Sequence, residues 1–218
     1  MQLSDVKRLI RHGENATIEF KAKMRHPEKV VKELVAFANT AGGHLFIGVH
    51  DDGLLAGVKY PEDEIFALDR AIEKYCKPAF EYTVHIIDLT EDSSIVVYEV
   101  PASDNKAHCV VNNELLHGRQ AFVRVADRSI KASKHVKEIL DRQSKNKSIQ
   151  FNFGDKEKLL MTYLENNETI TVNEFKKISG RNYYQASRTL ILMVLANVLE
   201  IHPHEKEDFY TLKGVGLV

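Results

Sequence analysis

The chain has 218 residues, of which 44% are hydrophobic and 28% charged, and its formal net charge is −1. Such a composition has room for one large core or two modest ones, and it excludes both a disordered polyelectrolyte and a protein uniformly coated in positive charge. No run approaches the roughly 18 apolar residues of a membrane-spanning helix, and the opening MQLSDVKRLIRHG lacks the apolar core of a signal peptide, so a cytoplasmic location without a membrane partner is expected.

In chain order, Ser4 to about Arg11 carries Val6, Leu9 and Ile10 on one side and predicts a helix ended by Gly13. Thr17 to Phe20 reads as a short strand. From Glu28, Val30, Val31, Leu34, Val35, Phe37 and Ala38 recur at helical spacing and predict an amphipathic helix stopping near Asn39 and Thr40. Gly42 and Gly43 then turn the chain into a buried strand, His44 to Val49, joined through Asp52 and Gly53 to a second strand, Leu54 to Val58. Asn39 is expected to satisfy backbone groups at its own helix end.

A helix follows Pro61 and runs toward Pro78; strands are expected at Phe80 to Leu89, Ser94 to Val100, His108 to Val111 and Ala121 to Val125, and a closing helix at Ser133 to Arg142. The polar stretch QSKNKS, Gln143 to Ser148, reads as a linker, which gives a first domain at 1–142, a linker at 143–150 and a second domain at 151–218. Between Arg119 and Lys147, the bases Arg119, Arg124, Arg128, Lys131, Lys134, Lys137, Arg142, Lys145 and Lys147 face only Asp127, Glu138 and Asp141, a pattern that fits either a basic surface or a solvated helix.

The second domain shows helical patterns at Asp155 to Leu164, Thr171 to Ile178 with a Thr171/Glu174 capping box, and Tyr183 to Leu195 after Gly180. Strands at Val198 to Ile201 and Asp208 to Leu212 complete the order of a winged helix-turn-helix. Its second helix opens RNYYQASR, where Arg181, Asn182, Gln185 and Arg188 suit phosphates and base edges. The hairpin tip is acidic, with Glu205, Glu207 and Asp208 around Lys206.

Cys76 and Cys109 belong to no CxxC pair and are expected as reduced thiols; His108 with Cys109, and His202 with His204, lack a second cluster at zinc-ligand spacing. There is no GxxxxGK[ST] loop and no GxSxG elbow, which excludes a P-loop ATPase and an elbow-type serine hydrolase.

Three segments are the most informative: ENATIEFK at Glu14 to Lys21, AFANTAGG at Ala36 to Gly43, and IGVHDDG at Ile47 to Gly53. Together they resemble the Schlafen/AlbA-like DNA-binding domain family over most of residues 1–142. A later family element, an arginine followed by Gly-Ser, corresponds to Arg124 to Ser129, from which Ala126 and Asp127 depart. The resemblance implies an α/β (α+β) AlbA-like domain followed by the small winged helix-turn-helix domain, as in bacterial transcriptional regulators. The leading expectation is therefore a homodimeric DNA-binding regulator without a cofactor, contacting nucleic acid through Lys21, Lys23, Arg124, Arg128, Lys131, Arg181, Asn182, Gln185 and Arg188. Some animal Schlafen proteins are RNA endonucleases, and their metal-binding acids match Glu14, Glu19 and Asp51. The resemblance thus also implies a second reading, a ribonuclease using Mg²⁺ or Mn²⁺, for which carboxylate oxygens are suitable ligands. A protein-interaction module is the third.

Overall fold

The computed structural model describes residues 1–111, 118–145 and 153–214. The chain divides into two compact units, Met1–Lys131 and Ala132–Val218.

The first unit opens with α1 (Leu3–Ile10), whose Val6 is buried. A four-stranded sheet follows in the order β1-β2-β5-β4, formed by β1 (Ile18–Lys21), β2 (Gly42–Ile47), β4 (Thr83–Thr90) and β5 (Ser93–Pro101). β1 and β2 run parallel, Glu19 beside Leu45, and are connected through α2 (Pro27–Asn39); the other two pairings are antiparallel. One face of this sheet presents Leu45, Ile47, Val96 and Tyr98 to a core shared with α2 and α3 (Pro61–Tyr75). The opposite face presents Phe20, Phe46, Ile87, Ile95 and Val97 to a cluster that includes Val6 of α1. Covering on both faces explains why Ser94 to Tyr98 are buried in succession instead of alternating with exposed residues.

A second sheet, order β3-β6-β7-β8, combines β3 (Cys76–Lys77), β6 (Cys109–Val111), β7 (Arg119–Val125) and β8 (Arg128–Lys131). Its Val110 and Phe122 join the core around α2. Packed against both sheets and α3, α2 is buried on most of its circumference, including the polar residues Glu33 and Asn39. Burial at such positions requires that each polar group find a partner. Asn39 does so at long range: its Nδ2 donates to the carbonyls of His108 and Phe122, each at 2.9 Å, and its Oδ1 accepts from the His108 N–H at 2.8 Å. The expected local cap is therefore a cross-brace from α2 to the second sheet.

The turn that follows depends on its glycines. Gly42 has φ +80°, and a Cβ there would lie 2.7 Å from the Val100 carbonyl oxygen; one on Gly43 would lie 2.5 Å from the Phe37 ring. The Asp51–Gly53 turn forms as expected, with Leu54 N–H donating to Asp52 Oδ1 at 2.9 Å. The strand expected after it is reduced to isolated bridges at Leu55 and Val58.

The second unit contains α4 (Lys134–Gln143), α5 (Asp155–Asn166), β9 (Ile170–Thr171), α6 (Val172–Ser179), α7 (Tyr183–Leu195), β10 (Leu199–His202) and β11 (Phe209–Leu212). Its three strands pair antiparallel in the order β10-β11-β9. Ile139 of α4 packs with Leu160, Phe175, Leu190 and Tyr210 in this unit's core. The division thus falls before α4, one helix earlier than position 142; apolar spacing predicts the helix but not the core that receives it. Of the expected linker, residues 146–150 lie outside the described residues, as does Lys147, and so do 151, 152 and 215–218 of the expected second domain. Among the described residues no helix is long and apolar enough to cross a membrane.

Candidate nucleic-acid interface

Arg124 lies on β7, flanked by the buried Val123, and its side chain is 1% exposed. Its guanidinium donates to Glu19 Oε2 at 2.9 Å, Glu33 Oε2 at 3.0 Å, Ser129 Oγ at 3.2 Å and the Asn15 carbonyl at 2.7 Å. It also lies over the Phe37 ring, 4.9 Å from the centroid. The arginine expected to meet nucleic acid is thus enclosed, with both terminal nitrogens held by acceptors and its Nε buried without a partner, and it joins β1, α2 and β7 inside the first unit. A charge this deeply placed is retained only with partners, and Glu19 and Glu33 supply them.

Glu19 is buried, and its two oxygens are both engaged, Oε2 by Arg124 and Oε1 by Lys21 Nζ. Glu14 accepts the Phe20 N–H through Oε1 at 2.8 Å. Burial pushes the Glu14 carboxyl above its ordinary value against the lowering effect of that hydrogen bond, and the negative charges of Glu19 and Asp51 push it further up. The three acids expected to act together are therefore electrostatic neighbours, but Glu19 already serves two cations of its own chain. Among the described residues no group of three or more His, Cys, Asp and Glu side chains is arranged to hold a metal ion. The donor set does not fit a metal site while Arg124 and Lys21 hold Glu19.

The remaining cations of the first unit are dispersed. Lys21 is half-buried and also donates to the Phe20 carbonyl at 2.7 Å; Lys23, Arg128 and Lys131 are exposed. Within the basic run from Arg119 to Lys147, three bases are engaged by groups of the chain itself. Arg119 donates to the Lys77 carbonyl at 3.1 Å, Arg124 is internal, and Arg142 pairs with Glu138 of its own helix at 2.8 Å.

In the second unit, the Thr171 hydroxyl accepts the Glu174 N–H and the Glu174 carboxylate accepts the Thr171 N–H, starting α6 as the sequence predicts. Gly180, with φ +64°, ends it in the left-handed conformation that the turn requires. Asn182 then caps α7, its Oδ1 accepting the Gln185 N–H at 2.9 Å. The Asn182 oxygen thus holds the start of the helix, a role in addition to the contact expected of this residue. Ala186, Leu190, Met193 and Val194 turn inward, while Arg181, Gln185 and Arg188 are exposed. Among the described residues no carboxylate pairs with Arg181 or Arg188.

Two exposed tyrosines were not among the expected residues. Tyr183 stacks obliquely on His135 of α4, with ring centroids 5.9 Å apart, and its phenol is pushed above its ordinary value by burial and then by Glu207 and Asp208. Tyr184 is 68% exposed, and its hydroxyl is 3.5 Å from Arg188 Nη1. The tandem pair directly after the capping Asn182 was the available signal. The acidic hairpin is partly engaged by neighbouring elements: Glu207 accepts from Asn173 Nδ2 of α6 at 2.7 Å, and Asp208 accepts from the hydroxyl of Ser133, which caps α4, and from the His204 N–H of its own loop.

Residues 14–133, more than half of the chain, match the family model described as Schlafen, AlbA_2. Among solved structures, the chain is similar to the DIP2311 protein of Corynebacterium diphtheriae, with 19% identity over 55% of this chain and 25% of that one and a TM-score of 0.39. It is also similar to the N-terminal domain of a protein from Nitrosomonas europaea described as related to the ATP-dependent DNA helicase RecG. That match has 19% identity over 62% of this chain and 92% of the other, with a TM-score of 0.41. The chain spans about a quarter of the length of the first of these. No curated protein sequence matches it. The family match takes in Glu14, Glu19, Asn39, Asp51 and Arg124 and ends before α4 begins.

Proposed function

The chain belongs to the Schlafen, AlbA_2 family, and from that premise we propose that it is a DNA-binding transcriptional regulator whose second unit is a winged helix-turn-helix that reads duplex DNA. The observation that carries this reading is the outward face of α7, where Gln185 and Arg188 stand exposed on the helix that follows the Gly180 turn, with Arg181 exposed just before its cap. In a helix-turn-helix this second helix enters the major groove, and Arg and Gln are matched to the acceptor and donor edges of guanine and adenine. The order of helices, with β10 and β11 behind them, supports the winged form. The protein acts as a homodimer in this reading, which sets two α7 helices on half-sites about 34–36 Å apart.

The nucleic acid follows from the same geometry. A short, rigidly capped helix with a narrow polar face suits a groove, whereas single-stranded RNA is read by stacking platforms and splayed bases. Fluorescence anisotropy of the purified chain with labelled duplex DNA, single-stranded DNA and structured RNA tests the proposal. The expected outcome is tightest binding to duplex; binding confined to RNA, or none to any of the three, would contradict it.

A further inference from the structure

We infer that Tyr184 is a specificity-determining residue that reads the 5-methyl group of thymine beside a guanine read by Arg188, an inference that rests on the duplex-binding role proposed above. Helix geometry separates successive side chains by about 100°. Tyr183 and Tyr184 therefore face different surroundings although they are adjacent. Tyr183 turns toward His135 and feels Glu207 and Asp208, a side of the helix on which phosphate is repelled. Tyr184 faces about 100° away from Tyr183, one helical turn before Arg188, with Gln185 next to it and Arg181 exposed just before the helix. The acidic hairpin thus disfavours a phosphate backbone on the Tyr183 side of α7, and Tyr184 is rotated away from that side.

A tyrosine ring left 68% exposed contributes little to the fold, whose core on this helix is made by Ala186, Leu190 and Met193. Two chemical features define what it can contact. Its ring is an apolar surface at the height of the first helical turn, and in the major groove the apolar feature a base pair presents is the thymine methyl. Its hydroxyl lies 3.5 Å from Arg188 Nη1, so the tip of the phenol and the guanidinium are neighbours on one exposed face and are placed to meet adjacent base pairs in this reading. Guanidinium donors pair with guanine O6 and N7.

The experiment selects duplexes from a randomised pool with the full chain and its Y184A, Y184F and R188A variants, then remakes the selected duplex with deoxyuridine for thymine. The parent is expected to enrich thymine next to or one pair from guanine, and to bind the deoxyuridine duplex about fivefold more weakly. Y184A should bind the thymine and deoxyuridine duplexes equally, with an unchanged unfolding midpoint; Y184F, which keeps the ring, should still discriminate. R188A should lose the guanine preference. Equal affinity of the parent for the two duplexes would overturn the inference while leaving duplex binding intact. Failure of the parent to recover any duplex would overturn the DNA-binding reading itself, and this inference with it.

Discussion

Arg124 in the first unit and Arg181 with Arg188 in the second are the same residue type under opposite conditions. Arg124 is enclosed by two carboxylates, a hydroxyl and backbone carbonyls, and lies over an aromatic ring. Arg188 projects from a helix whose other side is apolar core, and Arg181 is exposed just before that helix begins. The first arginine is inside the family-matching segment and the other two are outside it. Glu19 and Arg124, which lie in the matched segment, thus help hold the first unit together, whereas Arg181 and Arg188 stand exposed in the other unit.

If that contrast is right, replacing Arg124 produces the largest effect on folding. R124M removes the buried partner shared by Glu19 and Glu33, leaving them only Lys21 and Lys32 at their outer oxygens, and the expected loss is about 3–5 kcal/mol in urea unfolding; the triple variant R124M/E19Q/E33Q should recover part of it. N39A comes next, because it leaves the His108 N–H and two carbonyls unpaired, with an expected cost of about 1–3 kcal/mol. N182A removes the α7 cap and should cost about 1 kcal/mol in the same assay. An effect of N182A on duplex affinity at low temperature as large as that of R188A would blur the contrast, since the Asn182 oxygen is assigned to the helix.

The smallest expected effect concerns Glu14 and pH. Burial raises its carboxyl above the ordinary value, so the folded chain holds this proton more tightly than the unfolded chain does. Stability then falls as pH rises from the ordinary glutamate value through the raised one. E14Q, which keeps an acceptor for the Phe20 N–H, should be more stable than the parent at neutral pH and lose that advantage below the ordinary glutamate range. Thermal unfolding of both proteins across pH checks the sign.

Much of the local structure was legible because short-range chemistry decides it. The Thr171/Glu174 capping box, the Gly180 turn and the Asp52–Gly53 turn each depend on residues within a few positions, and each forms as the sequence predicts. The fate of Arg124 and Glu19 was not legible in that way, since their partners are about a hundred residues apart. A sign was nevertheless present: both are lone charges between apolar neighbours, Ile18 with Phe20 and Val123 with Val125, in strands buried on consecutive residues. Asn39 was misassigned for a related reason, because its expected backbone partners were taken from its own helix. The hairpin β7–β8 escaped notice because its turn, Ala126 and Asp127, lacks glycine; Ala126 nonetheless takes φ +52°. Helix α4 was legible as a helix, but its core was not, since Val136, Ile139 and Leu140 would serve either unit equally well.

The most direct test of the contrast is the affinity of the full chain for a labelled DNA duplex across a salt series, beside that of R181A/R188A. If the exposed Arg181 and Arg188 meet phosphates or base edges, log affinity should fall linearly with log salt for the parent. The double variant should bind at least about tenfold more weakly, with a slope shallower by about one for each phosphate contact removed. Identical affinities and slopes for the two proteins would contradict the account, and would return the search for a binding surface to Lys23, Arg128 and Lys131 of the first unit.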